Sequence, residues 1–243
     1  MSAIYAYFSK EPECCFMATD DRENTTGRKV DKLQVFKNRW VLCCYGQDIV
    51  SSAISAVSYM EYFKTSVFST QDLVTMIVRA TQSISQRMYP AYLKYYESGK
   101  ISKSAWEAIQ QNSLNVVILD SVDFELSEVS FGSAFPPERV LDSPQINTSF
   151  VSNKLHRFVI ARAIHNRPFD NLSADDDFYA QAKRIVEFDR LEDANIGNLG
   201  MVFIKSAGES SVTSVFSDME DFIANTYDPS FLVGFNISVE RHS

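Results

Sequence analysis

The apolar residues of this chain change their spacing four times between its ends, and that alternation sets the strongest limit on its fold. Residues 3–8 and 14–18 are β-favouring runs on either side of a polar, proline-containing turn, Ser9-Lys10-Glu11-Pro12-Glu13. A polar loop over 20–27 follows, and then residues 32–36 and 40–45 read as a second strand pair around Lys37-Asn38-Arg39. The period then becomes helical. Ile49, Val50, Ala53, Ile54, Val57, Met60 and Phe63 share one stripe, and Leu73, Met76, Ile77, Ala80, Ile84 and Met88 share another. Ser69-Thr70-Gln71-Asp72 supplies an N-cap for the second helix. The cluster Tyr89, Tyr92, Tyr95 and Tyr96 is read as helix-end packing rather than a nucleotide platform, and Trp106 falls in a further short helical piece.

Residues 115–120 and 123–129 predict another hairpin, after which Pro136, Pro137 and Pro144 mark a long irregular connection. Helical spacing returns over 155–164 and 178–188. The acidic trio Asp175, Asp176 and Asp177 suits the first turn of the latter helix and is read as a solvated turn, not a metal site. The chain ends in strands at 201–205 and 212–216, with a tail strand over 231–239. Strands, two helices, strands, two helices, strands: such an order predicts two sheets, each covered by helices. The expectation is a four-layer α+β sandwich of αββα type in one domain over 1–243, with 206–243 as a C-terminal strand and tail extension.

Composition narrows the function. The 243 residues carry 23 basic and 31 acidic side chains, a net charge of −8, which disfavours nucleic-acid binding. No apolar run reaches the roughly 20 residues that span a bilayer, and the first ten residues lack a secretory pattern. The four cysteines form two adjacent pairs, Cys14–Cys15 and Cys43–Cys44, whose members point to opposite faces of a strand. Reduced, buried thiols in a cytoplasmic protein are the expectation. His156, His165 and His242 are scattered, the first two on a predicted helix, and phosphate-loop, GxSxG and HExxH motifs are absent. Neither a metal nor another cofactor is expected.

Four segments in order carry a resemblance. Met17-Ala18-Thr19-Asp20-Asp21-Arg22 is similar to the A-x-D-x-R end of the second strand in proteasome β-type subunits. The stretch from Val30 to Phe36 resembles that family's lysine-bearing strand, and the segment Trp40 to Gly46 its next strand, which closes on glycine. Asp193-Ala194-Asn195-Ile196-Gly197 resembles its D-x-x-S-G motif. The resemblance implies an N-terminal-nucleophile hydrolase, with the bacterial ancestral-β-type and HslV-like branches as the nearest relatives.

It also implies roles. Removal of Met1 exposes Ser2, whose hydroxyl is the expected nucleophile and whose α-amine, titrating near pH 7.7–8.0, is the base. Lys32 stands beside the hydroxyl, Asp20 orients Lys32, Asp193 holds the amine, and Gly46 offers an oxyanion-binding N–H. Arg22 is a structural partner. Serine replaces the usual threonine, Ile196 stands where the family has serine, and no G-S-G occurs near 150–154. Three readings therefore stand: a peptidase or amidohydrolase in a homo-oligomeric ring or related assembly, an inactive proteasome-like subunit with a scaffolding role and, more distantly, an unrelated α+β binding protein. The implied partners are copies of itself and a peptide or unfolded protein; whether an ATP-dependent unfoldase docks is left open.

Overall fold

The computed structural model describes residues 4–10, 13–22, 29, 32–36, 39–64, 66–67, 69–139, 144–150, 156–160, 186–187, 190–191, 197, 199–206 and 209–213. It is a mixed helix and strand fold built on two antiparallel sheets. Strands β1 (Ile4–Lys10) and β2 (Glu13–Asp20) form the expected hairpin, with Lys10 opposite Glu13 and Ile4 opposite Thr19. β3 (Leu33–Phe36) and β4 (Trp40–Gly46) pair so that Leu33 faces Cys43. Helices α1 (Asp48–Lys64), α2 (Thr70–Glu97) and α3 (Lys103–Gln111) follow. β5 (Ser113–Asp120), β6 (Glu125–Ser133) and β7 (Gln145–Phe150) then extend the sheet begun by β3 and β4. β8 (His156–Ile160) pairs with β1, while β9 (Leu199–Ser206) and β10 (Glu209–Thr213) continue the first sheet beyond β2.

The order is β10-β9-β2-β1-β8 in one sheet and β3-β4-β5-β6-β7 in the other. Alternation along β4 divides the core. Trp40, Leu42 and Cys44 face α1 and α2, where they pack with Ile54, Ile77, Ile84, Ile118 and Phe131. Val41 and Cys43 face the other sheet and meet Ile4, Ala6, Met17, Val117 and Leu126. Helices, sheet and sheet are thus stacked in that order. Tyr5, Phe16 and Ala18 lie on the alternate face of β1 and β2, and they too are fully buried.

Local chemistry explains the long helix. Ser69 Oγ accepts from the Asp72 N–H at 3.1 Å while the Asp72 carboxylate accepts from the Ser69 N–H at 3.0 Å, a reciprocal cap. All six residues of the predicted α2 stripe are buried. α2 runs through Pro90, because Tyr89 and Tyr92 pack on Phe135 and Tyr96 stacks on Trp106 with ring centres 5.3 Å apart. No described helix is long and apolar enough to cross a membrane.

Three expectations change. The helix expected over 155–164 is strand β8 where it is described, so His156 opens a strand; His165 lies outside the described residues. The segment after Pro144 is strand β7 rather than irregular chain. The hairpin strands of the second sheet begin or end a few residues beyond their predicted limits. Of the helix expected over 178–188, Val186 and Glu187 are described and helical; the tail strand over 231–239 is outside the described residues.

Candidate active site

Asp20 is the last residue of β2 and is fully buried. Such a carboxylate requires a countercharge and hydrogen bonds, and both are present. Lys32, one residue before β3, donates from Nζ to Asp20 Oδ1 at 2.8 Å with its own side chain 10% exposed. The other oxygen, Oδ2, accepts from the Gly197 N–H at 3.1 Å and from the Arg22 N–H at 3.3 Å. One side chain thereby ties the end of β2, the approach to β3 and the approach to β9.

The backbone around this carboxylate is crowded. A Cβ on Gly197 would lie 2.3 Å from Asp21 Oδ1 and 2.8 Å from the Arg22 nitrogen, and one on Gly200 would lie 2.9 Å from Asp21 Cβ. The β2–β9 register shifts between Ala18 and Asp20, a bulge of the kind that re-aims side chains. Asp21 is itself buried and pairs with exposed Lys29 at 3.6 Å, while an isolated bridge joins Arg22 to Lys29 across the loop. Arg22 thus serves that loop through its backbone.

Gly46 ends β4 at φ +111°, opposite Leu114. A Cβ there would fall 1.9 Å from the Ser113 carbonyl oxygen, so the β4–β5 contact by itself demands glycine. Leu33 pairs with Cys43, which sets Lys32 and Gly46 at one end of their sheet. Burial pushes the Cys43 thiol well up; Cys44 adds to this, and the charges of Lys32 and Asp20 act on it in opposite senses. Cys43 therefore lies beneath the ion pair as a neutral thiol.

The structure brings Asp20, Lys32 and the Arg22 backbone together and sets Gly46 at the same end of the fold. Ser2 and Asp193 lie outside the described residues. Sequence reasoning gave Gly197 no role beyond its motif and missed Asp21; the run Asp20-Asp21, two acids closing an apolar strand, was the available signal. Among the described residues no group of three or more His, Cys, Asp and Glu side chains is arranged to hold a metal ion.

No family model matches the chain, and no curated protein matches it. Solved structures do. Anbu (ancestral beta-subunit) from Yersinia bercovieri superposes with a TM-score of 0.52 at 13% identity, covering 96% of this chain and 91% of that one. The chain shares its fold with an ancestral beta-subunit. Anbu from Hyphomicrobium sp. strain MC1 aligns over 100% of both chains with a TM-score of 0.47 and 12% identity, and the likeness of fold rests on the first pair.

Proposed function

We propose that this chain is a proteasome-like subunit with the αββα sandwich of N-terminal-nucleophile hydrolases, acting as a peptidase or amidohydrolase in a homo-oligomeric assembly. The burial of Tyr5, Phe16 and Ala18 on the second face of their sheet supports the fourth layer. The activity rests on one observation, the buried Asp20–Lys32 pair. A buried ion pair adds little net stability, since apolar residues of like volume do as well. Its presence at a strand end, beside the start of β1, is better explained by chemistry.

Ile4, the first described residue of β1, faces Thr19, the neighbour of Asp20. In the proposed reaction Met1 is removed and the Ser2 Oγ attacks a peptide carbonyl. Its proton passes to the Ser2 α-amine, and Lys32 stabilises the negative charge that develops. The amine then protonates the departing nitrogen, and water hydrolyses the ester left on Ser2. Asp193 holds the amine and Gly46 is the oxyanion donor in this scheme. The assembly takes peptide or unfolded-protein substrates, and the whole chain acts as one domain.

A second reading, an inactive scaffolding subunit, is favoured by Ile196 in place of the motif serine and by a Gly46 that packing alone explains. Intact mass and labelling by an electrophile directed at N-terminal nucleophiles separate the two. The active reading expects loss of Met1 and one label, abolished in Ser2→Ala with the assembly size by light scattering unchanged. A retained Met1 leaves the scaffold reading.

A further inference from the structure

We propose that Gly197 is a positioning residue that turns Asp20 towards Lys32, an inference that rests on the activity proposed above. Asp20 has two oxygens with different tasks: Oδ1 receives the ammonium, and Oδ2 is held by two backbone N–H groups. Of those two donors, Arg22 is a near neighbour in sequence and closes a local turn. Gly197 comes from 177 positions away and so fixes Asp20 relative to β9. A carboxylate held on one side by fixed dipoles loses the freedom to rotate about its last torsion, so the orientation of Oδ1 follows from that of Oδ2.

The contact needs a residue without a Cβ. Asp21 Oδ1, Arg22 Cβ and the Arg22 nitrogen would all lie within 2.3–2.8 Å of an added methyl carbon, and two of those atoms belong to backbone or its first side-chain carbon. Any side chain would therefore push Gly197 away from Asp20. Gly200 provides the contrast. It is crowded too, though less tightly, by Asp21 Cβ at 2.9 Å and Asp21 Cα at 3.0 Å, and the hydrogen bond to Asp20 comes from Gly197. Crowding alone predicts losses that differ in size but leave the pH profile in place at both glycines; positioning predicts a displaced profile at Gly197 alone.

The experiment compares full-length Gly197→Ala and Gly200→Ala with the wild type. Hydrogen exchange of peptides covering 193–201 reads the contact, and the rate of labelling by the electrophile, measured against pH, reads the chemistry. The inference expects exchange at the Gly197 amide to quicken about tenfold in Gly197→Ala. Labelling should slow at least about tenfold with a displaced pH midpoint, while Gly200→Ala keeps the wild-type midpoint. Equal behaviour of the two variants overturns it, as does a labelling profile unmoved in Gly197→Ala. Should Gly197→Ala fail to fold, amide exchange of the wild type decides: a protected Gly197 amide supports the contact, and an unprotected one overturns the inference. A wild type that takes no label sinks the activity, and the Gly197 exchange then decides the contact by itself.

Discussion

Gln34 shows what a single residue costs this fold. It sits on β3 at 1% exposure, opposite Leu42 on the face turned to α1 and α2, and neither atom of its amide has a hydrogen-bond partner among the described residues. An amide buried without partners costs about 1–3 kcal/mol. Replacing it with leucine, which resembles its neighbour Leu42 in character, removes that cost with little change in volume. Gln34→Leu is expected to raise the unfolding free energy by about 1 kcal/mol, measured by urea titration; a fall of that size would show the amide is satisfied in solution. At this scale the sequence was partly legible. Asp20 and Lys32 were named through the resemblance of their segments, Met17 to Arg22 and Val30 to Phe36, to two strands of proteasome β-type subunits. Asp21 and the Gly197 N–H were not, because backbone donors carry no residue signature and burial of an exposed-looking acid depends on a segment distant in the chain.

Among the elements, the meeting of β4, β5 and α2 hangs on Asp120. This fully buried carboxylate accepts from Arg39 Nη2 at 2.8 Å, Trp40 Nε1 at 2.9 Å and Thr70 Oγ1 at 2.9 Å. The Val122 and Asp123 N–H groups add two more bonds. Burial by itself pushes this carboxyl up, but the Arg39 hydrogen bond and the other donors outweigh it and leave it below the usual range. A depressed carboxyl stabilises the fold fully above its unfolded value, about 3.9, and that contribution is lost as pH falls through the lower folded value. Asp120→Asn should therefore cost about 2–3 kcal/mol at pH 7, and its gap from the wild type should narrow below about pH 4. A gap that stays constant from pH 7 to pH 3 would assign the loss to shape rather than charge.

Elements also divide by how openly the sequence declares them. The cap at Ser69 and the stripe of α2 are local, and both appear in the structure as read. β8 is not local. His156 to Ile160 form a strand because β1 offers a free edge there, and five residues of mixed character match either period equally well. β7 was hidden by the prolines before it, although an edge strand needs its partner on one side alone.

For the whole molecule the layer between the sheets is decisive, since Ile4, Ala6, Cys15 and Met17 from one sheet meet Leu33, Val41, Val117 and Leu119 from the other. Sheet and helices share β4 and β5, so loosening one interface must be felt at the next. Val117→Ala, at a fully buried site between the sheets, should lower stability by about 2 kcal/mol. Tryptophan fluorescence, from Trp40 on the other face of the same sheet and Trp106 on α3, should report the same denaturant midpoint as far-UV circular dichroism. Separate midpoints would mean that the layers melt independently. The two sheets and the helices between their strands were legible at this scale because period changes are set by layers, whereas the contacts that join the two sheets are set by register and close only in three dimensions.

Adjacent Cys43 and Cys44 turn that layering into a recorder. One sulfur is sealed between the two sheets and the next beneath the helices, both inert while the protein is closed. A thiol reagent that reaches the first has come through a parting of the sheets, and one that reaches the second has come under a lifted helix. Two neighbouring atoms of one element thus keep separate diaries of how the molecule breathes.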